Sequence, residues 1–297
     1  MKFLYKLKKD YLGILFVLPV IIGLACFTFV PMGKSLINSF QETDYATRET
    51  VFTFNHYKRI FDSANTQFTR SLLQTLLFTA IDIPLRMTLS FALALFLYKE
   101  VRGVRLVRVL CYVPVIIPTV VSGLLWKTIM EYDVGYLNLF LTELGLGRLT
   151  LFYSEKTALA AFVFIGLFGI GSSMILWISQ LKNIPSTVYE VADIEGANRF
   201  QTLFRITIPL CGPTIFYVLL TSIIGTLQVF DLAYMFSTPL TGDSLNFLVV
   251  FIYQQAFGFF DMGYACALSW VLFTIIAILS GIVFACKKWV IYGEDYA

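Results

Sequence analysis

Residues 185–201 read PSTVYEVADIEGANRFQ and form a polar segment between two long apolar runs. The leading proline suits the first turn of a helix, and Gly196 is the residue type that commonly ends one. Asn198 and Gln201 have the spacing of a capping box, in which each side chain satisfies a backbone N–H at the start of a helix. The segment therefore predicts a helix, a glycine turn and a second short helix between two apolar stretches.

Six stretches are long and apolar enough to cross a lipid bilayer, which takes about 20 residues of α-helix. They are Tyr11–Gly33, Ser71–Tyr98, Val109–Trp126, Thr157–Leu181, Ile206–Phe230 and Met262–Cys286. Of the 297 residues, 58% are hydrophobic and only 14% are charged, too few charges to cover a water-soluble protein. The sequence predicts an all-α integral membrane protein with six transmembrane helices. Pro114 and Pro118 predict a bend in the third.

Basic residues set the expected orientation, because loops rich in Lys and Arg are retained in the cytoplasm. Alternate loops carry 13 basic residues on one side and eight on the other, where the loops are longer. We therefore expect both termini in the cytoplasm. The expected segments are a cytoplasmic N-terminus at 1–10, the first span at 11–33, an extracytoplasmic loop at 34–70, a transmembrane core at 71–286 with an inner loop at 182–209, and a cytoplasmic C-terminus at 287–297.

Several kinds of chemistry are missing from the sequence. His56 is the single histidine, and the five cysteines are scattered through apolar stretches, so we expect no metal site and no disulfide framework. No GxxxxGK[ST] segment that cradles nucleotide phosphates is present, and the net charge of +3 is too small for nucleic acid binding. We therefore expect neither an enzyme nor a cofactor bound by this chain. A transporter with this sequence needs an external source of energy.

Asp82 and Arg86 are charged residues inside the second apolar stretch. They stand four residues apart and so share one face of a helix near the middle of the bilayer. Charges at that depth are costly unless they are paired or hydrated. Two interpretations stay open. The pair neutralises itself and fixes helix packing, or it forms part of a cavity wall that contacts a solute.

Polar and small residues recur along one face of the fifth stretch. They are Thr214, Tyr217, Thr221, Gly225 and Gln228. Such a stripe on an apolar helix faces either another helix or water. Helix packing is one interpretation, and a solute path is the other, since an aromatic ring beside hydroxyl and amide groups suits a sugar. Tyr217, Thr221, Gly225 and Gln228 are the candidate substrate path.

The inner loop resembles that of a known family, the permease subunits of binding-protein-dependent ABC importers. In that family the residues EAA are followed by three residues, a glycine and an I-x-LP-like ending. The matching residues here are Glu190-Val191-Ala192, Gly196-Ala197, Phe204, Ile206, Ile208-Pro209 and Pro213. Val191 replaces the middle alanine, and Glu195 replaces the aspartate that usually precedes the glycine.

Other stretches are similar to the sugar-importing, maltose-type branch of the family, so the resemblance covers about Leu12–Trp289. They are Tyr112–Pro118, Trp126, Gly135–Asn138 and Tyr253–Phe257. The resemblance implies the type I ABC importer permease architecture. It also implies that the solute is a carbohydrate of the oligosaccharide or polyol type.

The resemblance further implies that the inner loop is a coupling helix that docks on a cytoplasmic ATPase. The implied coupling residues are Glu190, Val191, Ala192, Asp193, Gly196 and Ala197. The small side chains of Ala192 and Ala197 let another protein's backbone approach. The resemblance also implies that ATP and Mg²⁺ bind the ATPase, and that a second homologous permease and an extracytoplasmic solute-binding protein complete the importer in the plasma membrane of a prokaryote.

The alternative is a self-sufficient secondary transporter or channel for a small polar solute. That class needs inverted repeats and several intramembrane carboxylates, whereas Asp82 is the one acid deep within a predicted span. A receptor or assembly anchor, the third class, leaves the coupling-like loop unexplained. The expected function is therefore that of a permease subunit working with membrane lipid, a sugar substrate and protein partners.

Overall fold

The structure is a computed structural model that describes residues 11–43, 50–62 and 64–286. The predicted cytoplasmic termini at 1–10 and 287–297 lie outside the described residues. Helices dominate what is described, as the composition and the apolar stretches predict.

The chain divides into two compact units. The first consists of Met1–Asn65 and Ile252–Leu272, and the second of Thr66–Phe251 and Phe273–Ala297. The first unit begins with α1 (Tyr11–Leu24), a π-helical stretch (Ala25–Phe29) and α2 (Val30–Asn38). Together they give an apolar helix that reaches Asn38, five residues beyond the predicted end at 33. None of its most apolar part is buried inside the chain.

A short β-hairpin follows within the predicted extracytoplasmic loop. Strand β1 (Gln41–Thr43) pairs antiparallel with β2 (Thr50–Phe52), and Gln41 lies opposite Phe52. The expectation of an all-α protein is wrong in this detail. Each strand has three residues, too few for an alternating pattern to be recognised in the sequence.

Helix α3 (Asn55–Ile60) packs on the N-terminal end of the last helix within the first unit. The Arg59 side chain donates from Nη1 to Asp261 Oδ2 at 2.7 Å. A Cβ atom on Gly263 would lie 2.5 Å from His56 Nε2, so only glycine permits this close approach. The ion pair and the glycine contact hold the segment after the first span in a defined arrangement.

The second unit consists of helices that differ in length and straightness. In chain order they are α4 (Thr66–Leu97), α5 (Val104–Ile116), α6 (Thr119–Ile129), α7 (Tyr136–Glu143), α8 (Glu155–Leu167), α9 (Gly171–Asn183), α10 (Ser186–Ile194), α11 (Arg199–Thr202), α12 (Ile208–Leu210), α13 (Gly212–Leu227) and α14 (Asp231–Phe236). A π-helical stretch, Leu203–Thr207, joins α11 to α12, and a 3₁₀ turn, Gly242–Leu245, follows α14. Two helices belong partly to each unit: α15 (Leu248–Tyr253), continued by the π-helical Gln254–Gly258, and α16 (Met262–Ala285).

Four segments among the described residues are helical, long and apolar enough to cross a membrane. They are Leu15–Asn38, Thr66–Leu97, Gly212–Phe236 and Met262–Ala285. Two further candidates are broken, because α5 and α6 meet at 99° and α8 and α9 meet at 47°. The described residues therefore contain up to six spans if each bent pair counts as one.

The bend between α5 and α6 is the one predicted from the prolines. Ile117 is extended, with φ −70° and ψ 127°, and Pro118 caps the start of α6. Proline disfavours the α conformation in the residue before it, so Pro118 breaks the span, whereas Pro114 lies within α5. No proline accompanies the break between α8 and α9, and the sequence does not predict it.

Two apolar clusters form the core of the second unit. One surrounds Phe78, Phe162 and Phe247, with the Phe78 and Phe247 ring centroids 5.0 Å apart. The other surrounds Trp177, whose Nε1 donates to Ser90 Oγ at 3.0 Å. That bond satisfies a buried donor that would be costly if left alone. Because Phe78 and Ser90 lie on α4, the clusters fix the helix that carries the intramembrane charges.

Candidate solute path and coupling loop

Asp82 and Arg86 form a bidentate ion pair within α4. Arg86 Nε lies 2.9 Å from Asp82 Oδ2, and Arg86 Nη2 lies 3.1 Å from Asp82 Oδ1. The Asp82 side chain is fully buried, whereas 22% of the Arg86 side chain is exposed. The pair therefore neutralises itself, which is one of the two interpretations that the sequence leaves open, and 22% of the Arg86 side chain remains accessible.

Two glycines, one in the last turn of α8 and one between α8 and α9, make room for the guanidinium. A Cβ atom on Gly166 would lie 3.1 Å from Arg86 Nη2 and 3.4 Å from Asp82 Oδ1. A Cβ atom on Gly169 would lie 3.6 Å from Arg86 Nη1. A side chain at residue 166 would therefore press on the charge pair.

Arg86 also lines a cavity of about 310 Å³ within the second unit. The lining residues are Phe78, Arg86, Ser173, Thr221, Ser222, Gly225, Thr226 and Val229. Small-molecule sites in proteins have volumes of about 300–1,000 Å³, so the cavity is large enough for a small solute. It brings together one member of the charge pair on α4 and two members of the stripe on α13.

The stripe on α13 faces away from the core of its own unit. Tyr217 is 54% exposed. Three further candidate path residues are exposed as well: Thr221, Gly225 and Gln228. Ile223, on the opposite face, is buried. The four candidate residues are therefore accessible to a solute or to another chain.

Thr214, the first residue of the predicted stripe, takes part in helix packing. Its Oγ1 donates to Gln180 Oε1 at 3.3 Å, and Gln180 Nε2 donates to Leu210 O at 3.0 Å. These bonds link the N-terminal end of α13 to α9. The accessible part of the stripe begins one turn later, at Tyr217.

The threonine hydroxyls that line the cavity present acceptor atoms to it. Thr221 Oγ1 donates to Tyr217 O at 2.8 Å, and Thr226 Oγ1 donates to Ser222 O at 2.8 Å. Each hydroxyl proton is used within the helix, so the oxygen lone pairs remain for a ligand. Arg86 supplies donors to the same space, and the cavity can bind groups that both donate and accept.

The inner loop has the predicted helix, turn and helix. Helix α10 ends in a Schellman motif, with Gly196 N donating to Asp193 O at 3.1 Å and Ala197 N to Ala192 O at 2.9 Å. Gly196 has a φ of +77°, a left-handed conformation that residues with a Cβ atom rarely adopt. The predicted glycine break is confirmed.

The second short helix begins with the predicted capping box. Gln201 N donates to Asn198 Oδ1 at 2.9 Å, and Asn198 N donates to Gln201 Oε1 at 2.8 Å. The two reciprocal bonds satisfy N–H groups that have no partner within the helix. They fix the direction in which the chain leaves the glycine turn.

Ala192 and Tyr189 attach α10 to other helices of the same unit. Ala192 is only 4% exposed. Tyr189 packs against the cluster around Trp177, and its Oη lies 3.3 Å from Thr207 Oγ1. Burial raises the pKa of the phenol. The side chain of Ala192 is therefore covered by its own chain, and it does not open a surface to a partner as its size suggests.

Other side chains of the loop are exposed. Among the implied coupling residues, Glu190, Val191 and Asp193 are accessible. Two large apolar side chains flank the turn, with Ile194 85% exposed and Phe200 76% exposed. Large apolar side chains that are exposed beside a polar turn are typical of surfaces that another protein covers.

Sequence reasoning missed part of the cavity lining. Ser222 and Thr226 stand four residues apart on the face of α13 next to the predicted stripe, and that spacing is the available signal. Ser173 enters the lining through the way α9 packs on its neighbours, which no local pattern shows. Tyr189 was also missed as an anchor, since its partner Thr207 is 18 residues away.

Apolar helices, a polar cavity among them and an exposed capped loop define a membrane-embedded transport component. The chain belongs to the family of binding-protein-dependent transport system inner membrane components, whose model matches residues 86–290. The resemblance to ABC importer permeases noted in the inner loop is confirmed.

Relatives of the same class match this chain over most of their length. The chain is 35% identical over 296 residues to a Bacillus subtilis protein named "Probable ABC transporter permease protein YesP", a match that covers 97% of this chain and 94% of the relative. It is 29% identical over 267 residues to the sulfoquinovosyl glycerol transport system permease protein SmoG of Agrobacterium fabrum, covering 89% and 86%.

A solved structure has the same fold. It is a chain from the crystal structure of a bacterial ABC transporter involved in the import of the acidic polysaccharide alginate. The TM-score is 0.87 at 21% sequence identity, and the match covers 98% of this chain and 100% of that chain. The fold is therefore that of an ABC importer permease.

Proposed function

We propose that this chain is one permease subunit of a prokaryotic ABC importer that carries a carbohydrate across the plasma membrane. Family membership supports the transport role, and the names of SmoG and of the alginate transporter support a sugar-derived solute. The importer contains a second homologous permease, a cytoplasmic ATPase that binds ATP and Mg²⁺, and an extracytoplasmic solute-binding protein. This chain forms part of the solute path and hydrolyses nothing itself.

In this proposal the chain crosses the membrane six times, with both termini in the cytoplasm. Each bent helix pair counts as one span, and the excess of basic residues in alternate loops supports the orientation. The β-hairpin then lies outside the cell, and α10 lies inside. The inner loop at 182–209 meets the ATPase.

The geometry of α10 carries the proposal. The helix ends at a left-handed glycine, packs through Tyr189 against the cluster around Trp177, and exposes Ile194 and Phe200 next to the turn. A helix held at one face and exposed at its tip transmits the movement of a docked partner to the helices that it contacts. A self-sufficient transporter has no ATPase partner, so it does not account for the exposed apolar tip.

Copurification from mild detergent tests this docking role. The complete importer is expressed with Ile194→Glu, which places a charge on the exposed apolar tip. The variant is expected to lose the ATPase and to keep the second permease. Val101→Glu is the matched control, because Val101 is 64% exposed in the preceding inner loop and lies outside the coupling segment.

Retention of the ATPase by Ile194→Glu, with undiminished sugar uptake, would show that α10 is an ordinary connector. Failure of the complete importer to take up any carbohydrate in the presence of ATP would contradict the proposed function itself.

A further inference from the structure

Arg86 keeps a free hydrogen-bonding edge after pairing with Asp82. A guanidinium group carries five N–H donors in a fixed plane and binds carboxylates through two donors at a time. Asp82 occupies the edge formed by Nε and Nη2. The edge formed by Nη1 and Nη2 is left for a second group.

Two glycines lie beside the terminal nitrogens of this guanidinium. Gly166 and Gly169 both lack the Cβ atom that would lie 3.1 Å from Nη2 or 3.6 Å from Nη1. The Arg86 side chain is 22% exposed and lines the cavity, so a ligand in the cavity can contact it. A lysine at this position has one charged nitrogen and no second edge.

The charged side chain that lines the cavity is positive. Among the described residues that line it, Arg86 is the only charged one, and the other polar lining residues carry hydroxyl groups. Asp82 is fully buried and is not among the residues that line the cavity. An anion taken out of water needs a close cation with free donors, whereas a neutral sugar does not.

We propose that the cavity selects a carbohydrate that bears an oxyanion, such as the carboxylate of a uronic acid. The oxyanion binds the free Nη1 and Nη2 edge of Arg86, and sugar hydroxyls donate to the threonine oxygens of α13. Arg86 is then a specificity residue, and Asp82 is a positioning residue that holds the guanidinium in place. This inference rests on the proposed function and specifies the substrate class of the same site.

Matched sugar pairs test the inference directly. Galacturonate and galactose, glucuronate and glucose, and mannuronate and mannose are titrated separately against the importer in lipid nanodiscs. The solute-binding protein is left out, because it has a selectivity of its own. Binding is measured by saturation-transfer-difference NMR, which detects millimolar ligands. In at least one pair the acid is expected to bind about tenfold more tightly than its neutral partner.

Variants of the charge pair assign the preference to Arg86. Arg86→Lys keeps a cation beside Asp82 and is expected to reduce the preference to about twofold or less. The double variant Asp82→Asn/Arg86→Gln removes both charges, leaves no lone buried ion, and is expected to abolish the preference. Arg70→Lys is the matched control on the same helix, because Arg70 pairs with Asp243 at 2.9 Å outside the cavity.

Equal binding of acid and neutral sugar, or no binding of any pair by an intact importer, overturns the inference. So does an acid preference that survives Arg86→Lys. In each of these cases ATP-dependent uptake of a carbohydrate by the complete importer leaves the proposed function standing. If the complete importer takes up no carbohydrate at all, the proposed function itself is contradicted.

Discussion

Replacing Gly196 tests whether the left-handed turn at the end of α10 controls docking of the ATPase. The glycine has a φ of +77°, and a Cβ atom built on it has no neighbour within 4 Å. A substitution therefore meets no clash within this chain, and its effect is backbone strain alone. Gly196→Ala and Gly196→Val should both be strained, whereas Gly196→Asn should be tolerated, since asparagine adopts this conformation more readily.

The cost can be bounded from the structure. Holding an L-residue in the left-handed region costs about 1–2 kcal/mol. If the turn opens instead, it loses the two Schellman bonds of 3.1 and 2.9 Å, each contributing about 1 kcal/mol. Either route costs about 1–2 kcal/mol, which lowers the ratio of the docking-competent turn to the open turn by about 5- to 30-fold.

The assay is the apparent affinity of the ATPase for the permease pair in nanodiscs, followed by transport-linked ATP hydrolysis. The expected order of affinity is glycine, asparagine, alanine and then valine. Gly281→Val is the control, because Gly281 is an exposed helical glycine with open space around it and no positive φ. If asparagine lowers the affinity as much as valine does, the cause of the loss is a clash with the ATPase and not backbone strain. If all four proteins dock equally, the reasoning fails.

Three further outcomes are expected. Cysteine at Thr47, outside the described residues, should react with an impermeant thiol reagent in intact cells, and cysteine at Ser186 should not. The reverse pattern would contradict the six-span topology. Cysteine at Thr221 should be labelled and protected by substrate, whereas cysteine at Ile223 should stay unreactive because Ile223 is 9% exposed. Equal labelling of the two cysteines would indicate that the stripe is a surface for helix packing. Gln228→Ala should raise the sugar concentration for half-maximal ATP hydrolysis about fivefold, one hydrogen bond contributing about 1 kcal/mol, and an unchanged value would remove Gln228 from the path.

Local features of this chain could be predicted because their causes lie within a few residues. The capping box joins Asn198 and Gln201, three positions apart, and the charge pair joins residues one helical turn apart. The break before Pro118 follows from the steric demand of proline on Ile117. In each case the atoms that determine the geometry are close in sequence.

Features that depend on distant packing could not be predicted in the same way. Arg86 and Thr221 are 135 residues apart in the sequence, and they line the same cavity only because α4 and α13 pack together. Ala192 looks accessible on an isolated helix and is covered once α10 lies against its neighbours. The hydrophobic pattern identifies which faces of the helices are apolar and leaves open which helix each face meets.

The surfaces that this chain leaves uncovered indicate what the assembly has to supply. None of the most apolar part of Leu15–Asn38 is buried within the chain, against 22% to 28% for the three other candidate spans that are not bent pairs. Tyr217 and its exposed neighbours on α13 present polar groups away from the core. Lipid tails cannot satisfy such groups, so the stripe needs a protein or aqueous partner. A second permease facing the stripe would cover it and close the cavity beside Arg86, and any preference for anionic sugars is therefore a property of the assembled pair.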